Sequence, residues 1–78
     1  MYRIQTGAFY NKERCQEFVF DLTKIGIKCC VEWHDPFWKS YIDRTYGTRE
    51  EAVEDLTALK NAFGRMFPPS FVAANGKE

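Results

Sequence analysis

Tyr2-Arg3-Ile4-Gln5-Thr6-Gly7-Ala8-Phe9 reads as a strand ending in Gly-Ala-Phe, after which Asn11 and Glu13 open a helical pattern. A degenerate copy of this layout returns as Tyr41-Ile42-Asp43-Arg44-Thr45-Tyr46, followed by Thr48 and a second helical pattern. Aligning the copies places Phe9 on Tyr46, Cys15 on Ala52 and Ile4 on Tyr41. One βα unit written twice in so short a chain predicts a single domain built from two similar halves.

The first strand is expected over residues 2–7 and the first helix over 12–25, with Asn11 as N-cap and Gly26 as its stop. Cys15, Phe18, Val19, Leu22 and Ile25 step by three and four and form one buried stripe, which leaves Phe20 half exposed. The second strand, 27–33, alternates Ile27, Cys29, Val31 and Trp33 on the core face against Lys28, Cys30 and Glu32. His34-Asp35-Pro36 turns the chain into a third strand, Phe37 to about Arg44. Thr48-Arg49-Glu50-Glu51 is a capping box for the second helix, whose core stripe is Ala52, Leu56, Leu59 and Phe63. Gly64 and Pro68-Pro69 end that helix, 70–74 is a short fourth strand, and 75–78 is expected to fray.

The order βαββαβ predicts an α+β, ferredoxin-like (RNP-like) domain over 1–78, with its core within 2–74. Right-handed crossovers give a four-stranded antiparallel sheet with both helices on one face and strands one and three in the centre. The other sheet face is left uncovered, and a ligand is expected there.

Seventy-eight residues are near the low end for one unaided core. Eleven basic and eleven acidic residues give zero net charge, which argues against a polyanion or anionic-membrane partner held by a basic field. Aromatics at 17% exceed what a small core needs, so some rings belong at the surface. No signal peptide or membrane span is visible. Because the strand begins almost at once, the chain reads as a monomeric module of something longer. Cys15, Cys29 and Cys30 lack disulfide-framework or metal-ligand spacing, so no metal or other cofactor is expected.

Alternation puts Tyr2, Ile4 and Thr6 against the helices and Arg3 and Gln5 on the open face. Strand three is ambiguous: Phe37, Lys39, Tyr41 and Asp43 form one set, Trp38, Ser40, Ile42 and Arg44 the other. The internal repeat aligns Tyr41 with core Ile4, so Trp38 and Ile42 are expected on the open face beside Gln5. Cover by the C-terminal tail, or a bulge in strand three, would turn Trp38 inward instead. An indole plane beside a Gln amide suits a sugar ring, and equally an unstacked nucleobase.

Tyr-Arg-Ile-Gln-Thr-Gly-Ala-Phe, Leu22-Thr23-Lys24-Ile25-Gly26-Ile27 and Tyr46-Gly47-Thr48-Arg49-Glu50-Glu51-Ala52 together resemble the SPOR domain, the sporulation-related repeat. The resemblance runs from Tyr2 to about Ala74. It implies binding to bacterial peptidoglycan, with preference for glycan strands stripped of stem peptides. It also implies a parent protein at the cell wall, in the periplasm or outside the cell. That parent is expected to be a cell-wall amidase of autolysin or endolysin type rather than a cell-division protein. Carried over by position, the family's sheet-face Gln is Gln5, its strand-three Trp is Trp38 and its aromatic near the fourth strand is Phe71; Arg3 and Ile42, placed on the same face by alternation and the repeat, are expected to support them in glycan binding. Ala8 stands where the family often has a small polar residue. Arg44 replaces the usual second-half glycine and adds a charge at the groove edge.

An enzyme is not expected. His34 is the only histidine, and Asp35 beside it points elsewhere on an extended backbone. Glu50 and Glu51 complement the helix dipole, while Glu54 and Asp55 read as a solvated face. The competing readings are single-stranded RNA binding and protein–protein docking through the same sheet. The RNA reading lacks the Lys/Arg-Gly-Phe-aromatic strand signature of RNA-recognition motifs, and no nucleic-acid partner is expected.

Overall fold

The computed structural model describes residues 1–74, and the frayed tail expected at 75–78 lies outside the described residues. The elements are β1 (Tyr2–Phe9), α1 (Lys12–Lys24), β2 (Cys29–His34), β3 (Phe37–Ile42), α2 (Arg49–Phe63), a 3₁₀ turn (Gly64–Met66) and β4 (Phe71–Ala74). All pairings in the sheet are antiparallel in the order β2-β3-β1-β4, so β1 and β3 are central. The expected α+β, ferredoxin-like arrangement is the one observed.

Both helices start where the local chemistry predicts. The Asn11 side chain accepts from the Arg14 N–H at 3.1 Å. Thr48 and Glu51 close a reciprocal capping box, Glu51 N–H to Thr48 Oγ1 at 3.1 Å and Thr48 N–H to Glu51 Oε1 at 3.2 Å. Gly26 and Gly64 follow the helices with positive φ, 94° and 59°, which a Cβ would strain.

Leu22 of α1 and Leu56 of α2 meet Ile4, Ile27, Ile42 and Phe67 in one core, with Val72 packed against it. Both helices therefore cover the Ile4 face. The molecule measures 31 × 31 × 15 Å, the thickness of one sheet plus one helical layer. Among the described residues no element covers the opposite sheet face, and no helix is long and apolar enough to cross a membrane.

The strand bounds differ from expectation, since β1 runs on to Phe9, β2 begins at Cys29 rather than Ile27 and β3 ends at Ile42 rather than near Arg44, and the faces of β3 are exchanged. Cross-strand partners share a face, and β1 pairs Gln5 with Tyr41, Ala8 with Lys39 and Phe9 with Trp38. Tyr41 and Lys39 thus occupy the open face, while Ile42 is 4% exposed within the core. Trp38 lies on the helix side with Ser40, and Lys12 of α1 places its Nζ 5.1 Å from the indole centroid. The irregularity is in β1, not β3. A bulge between Gln5 and Gly7 turns both Thr6 and Gly7 toward Ser40, with Thr6 Oγ1 2.7 Å from Ser40 Oγ. The repeat holds in the helices, where Cys15 and Ala52 are both fully buried. In the strands it slips by one residue, enough to exchange the two faces of β3.

Candidate functional site

The uncovered face carries Arg3, Gln5 and Ala8 from β1, Cys30, Glu32 and His34 from β2, Phe37, Lys39 and Tyr41 from β3, and Phe71 and Ala73 from β4. Four of the six sequence-derived candidates are among them: Arg3, Gln5, Ala8 and Phe71. Trp38 and Ile42 are not, because they share the helix-side face with Ser40.

Arg3 organises the centre. Its guanidinium lies 3.8 Å from the Tyr41 ring centroid and reaches across to β2, where Nη1 and Nη2 donate to Glu32 Oε2 and Oε1, both at 2.6 Å. Planarity serves both contacts, since one face stacks on the phenol ring while the edge meets the carboxylate. His34 Nε2 closes the chain, 2.9 Å from Glu32 Oε1. Arg3 therefore forms the floor rather than a free arm, and it is only 8% exposed. The bidentate Arg3 contact holds the Glu32 carboxyl down at about 2, partly opposed by desolvation. Burial pushes the Tyr41 phenol up, with Arg3 opposing.

Because Arg3 leans toward β2, room remains above β4, where the opposing residue is Ala73. A cleft of about 280 Å³ results, lined by Arg3, Gln5, His34, Lys39, Tyr41, Ala73 and Ala74. Gln5 is 7% exposed in its wall. Aromatic rings stand around it. Phe71, paired with Gln5, is 55% exposed, and Tyr10 packs on Phe37 with centroids 4.8 Å apart at the far end of the face. Amide, ammonium and imidazole groups beside exposed rings can hydrogen-bond a polar ligand while a ring supports its apolar side.

Sequence reasoning missed Lys39, Tyr41, Glu32 and His34 as members of this site. A usable signal was present: if Trp33 faces the core and Asp35-Pro36 is a two-residue turn, Trp33 pairs with Trp38, and both indoles take the core face. The structure shows that pair on the helix side of the sheet, with ring centroids 5.0 Å apart, but at the hairpin end rather than in the core, where Trp33 is 51% exposed.

Arg44, expected at the groove edge, points to α2 instead. Its Nη1 donates to Asp55 Oδ2 at 2.8 Å, and the Tyr46 hydroxyl donates to the same oxygen. Burial and the Asp55 carboxylate push the Tyr46 phenol up to about 12. This cluster is a loop-to-helix brace, adjoining the point where Tyr46 bridges Tyr2 at the start of β1. Comparison of the chain with protein-family models, curated proteins and solved structures finds no match.

Proposed function

We propose that the chain is a SPOR-like, non-catalytic module that binds peptidoglycan glycan strands on the open sheet face and directs a parent cell-wall enzyme to them. The observation that carries this reading is the cleft itself: a largely polar groove on the sheet face that no described element covers, walled by Gln5 and Lys39 and flanked by Phe71. Zero net charge supports a saccharide over a polyphosphate chain. The sequence resemblance from Tyr2 to about Ala74 supports it independently.

In this reading Phe71 supplies the stacking surface that the sequence assigned to Trp38. Tyr41 cannot, because the residue is 6% exposed and its ring lies under the Arg3 guanidinium. Gln5 donates and accepts toward hydroxyl or acetamido groups, and exposed Ala8 leaves clearance beside Lys39. One such contact set is small and wet, so a single site binds weakly and a polymer with repeated sites strengthens attachment.

The test is co-sedimentation with purified sacculi, intact and amidase-treated, using wild type, Gln5→Ala, Phe71→Ala and Trp38→Phe. The reading expects enrichment on stripped sacculi, lost in the first two variants and kept in Trp38→Phe. Failure to pellet on either preparation, or preferential capture by a single-stranded RNA oligonucleotide, would overturn it.

A further inference from the structure

Among the described residues the strand order leaves β2 and β4 as sheet edges, each with a row of main-chain groups unpaired. The β4 edge is blunt, four residues long and entered through Pro68-Pro69. β2 is six residues paired in unbroken register with β3, and its sequence, Cys-Cys-Val-Glu-Trp-His, holds no Pro, Gly or Lys to discourage a further strand. Its main-chain directions follow from one bond: the Lys28 carbonyl accepts from the Asp43 N–H at 3.0 Å. By alternation Cys30, Glu32 and His34 also bond inward to β3, and Cys29, Val31 and Trp33 turn their N–H and C=O groups outward. The same three carry their side chains on the helix side, where none is buried and Trp33 is 51% exposed.

We propose that β2 pairs antiparallel with β2 of a second copy, with Val31 on the two-fold axis, so that two sheets join into one of eight strands. This departs from the monomer expected from the sequence. The register follows from face, bonding and charge. Cross-strand partners share a face, so outward-turned residues meet outward-turned residues. Centring on Val31 engages all three, Cys29 with the second copy's Trp33 and Val31 with its own equivalent. Centring on Glu32 would set two carboxylates against each other, and centring on Cys30 would leave Trp33 opposite Ile27, outside the strand. With Val31 on the axis, Glu32 faces Cys30 and lies one diagonal step from Lys28. Lys28 is exposed and among the described residues has no ion-pair partner, so the charges complement. Pairing also covers the exposed Trp33 indole. A two-fold axis normal to the sheet leaves both open faces on one side. The two Arg3–Gln5 clefts then lie about 24 Å apart, five strand spacings, and one polymer can reach both. That consequence rests on the glycan reading above; the pairing itself does not.

The experiment is analytical ultracentrifugation of the whole chain over about 1 µM to 1 mM, with reductant present so that no Cys30 disulfide contributes. Amide hydrogen exchange is measured at both ends of that range. The expected result is a reversible monomer–dimer equilibrium. The Cys29, Val31 and Trp33 amides should gain protection with concentration, while those of Cys30 and Glu32 are protected throughout. Val31→Lys, which sets two ammonium groups together at the axis, should weaken association at least about tenfold. Val31→Thr keeps a neutral β-branched residue there and should dimerise like wild type. A monomer at every concentration, even one whose edge captures an added extended peptide, would overturn the proposal. So would a dimer whose outward-turned amides stay unprotected. On stripped sacculi the wild type should pellet more strongly than folded Val31→Lys. Equal pelleting would overturn the linked clefts and leave the pairing standing, whereas no pelleting by either would overturn the glycan reading alone.

Discussion

Arg3 illustrates how one residue can be legible in kind and misjudged in role. Alternation correctly assigns it to the open face, but the partner that ties it down is 29 positions away on β2. Its bidentate bond is visible only once the strand order is known. The consequence is a pH dependence with a definite sign. The folded Glu32 carboxyl is held at about 2, below its ordinary 4.5. A carboxyl depressed by folding contributes stability that is complete above its unfolded value and is lost as pH falls through its folded value. Thermal stability is therefore expected to be insensitive to this pair above about pH 5 and to decline between about 4.5 and 2. Glu32 is 40% exposed at the side chain, so salt should shrink the amplitude. Melting curves of wild type and Glu32→Gln across that range check this: the variant should show the shallower decline. At neutral pH Glu32→Gln should lose about 1–3 kcal/mol, because the buried guanidinium keeps only a neutral acceptor.

At the level of elements, the helices were readable because their signals are local. Asn11, Thr48 and Glu51 cap within three residues of themselves, and Cys15 and Ala52 recur at the same helical offset. Thr48→Ala should therefore cost about 1 kcal/mol, measurable by urea denaturation. The face of β3 was not readable from the repeat, because a single extra residue in β1 shifts the copy by one. Period-two structure converts that shift into a complete exchange of faces. Ile42 is the sharpest check. As a core residue its truncation to Ala should cost about 2–5 kcal/mol, while the folded fraction still binds sacculi. An open-face Ile42 would give the reverse, near-native stability with weakened binding. Gly7 marks the bulge: a Cβ there would come within 2.8 Å of the Phe9 ring and 3.2 Å of Ser40 Oγ. Gly7→Ala should destabilise by about 1–3 kcal/mol through overpacking.

The whole molecule is a two-layer slab whose function, in the reading proposed here, lies on its uncovered side. The order of elements and the central position of β1 and β3 followed from hydrophobic periodicity and crossover handedness alone. The composition of the open face needed the cross-strand register, which joins residues as distant as Arg3 and Glu32 or Gln5 and Phe71. The most direct measurement is an amide and indole chemical-shift titration of the isotopically labelled chain with amidase-stripped glycan fragments. The account predicts perturbations at Gln5, Ala8, Lys39, Phe71 and Ala73, with the Trp33 and Trp38 indole signals unmoved. Shifts centred on the two indoles, or no shifts at saturating glycan, would contradict it.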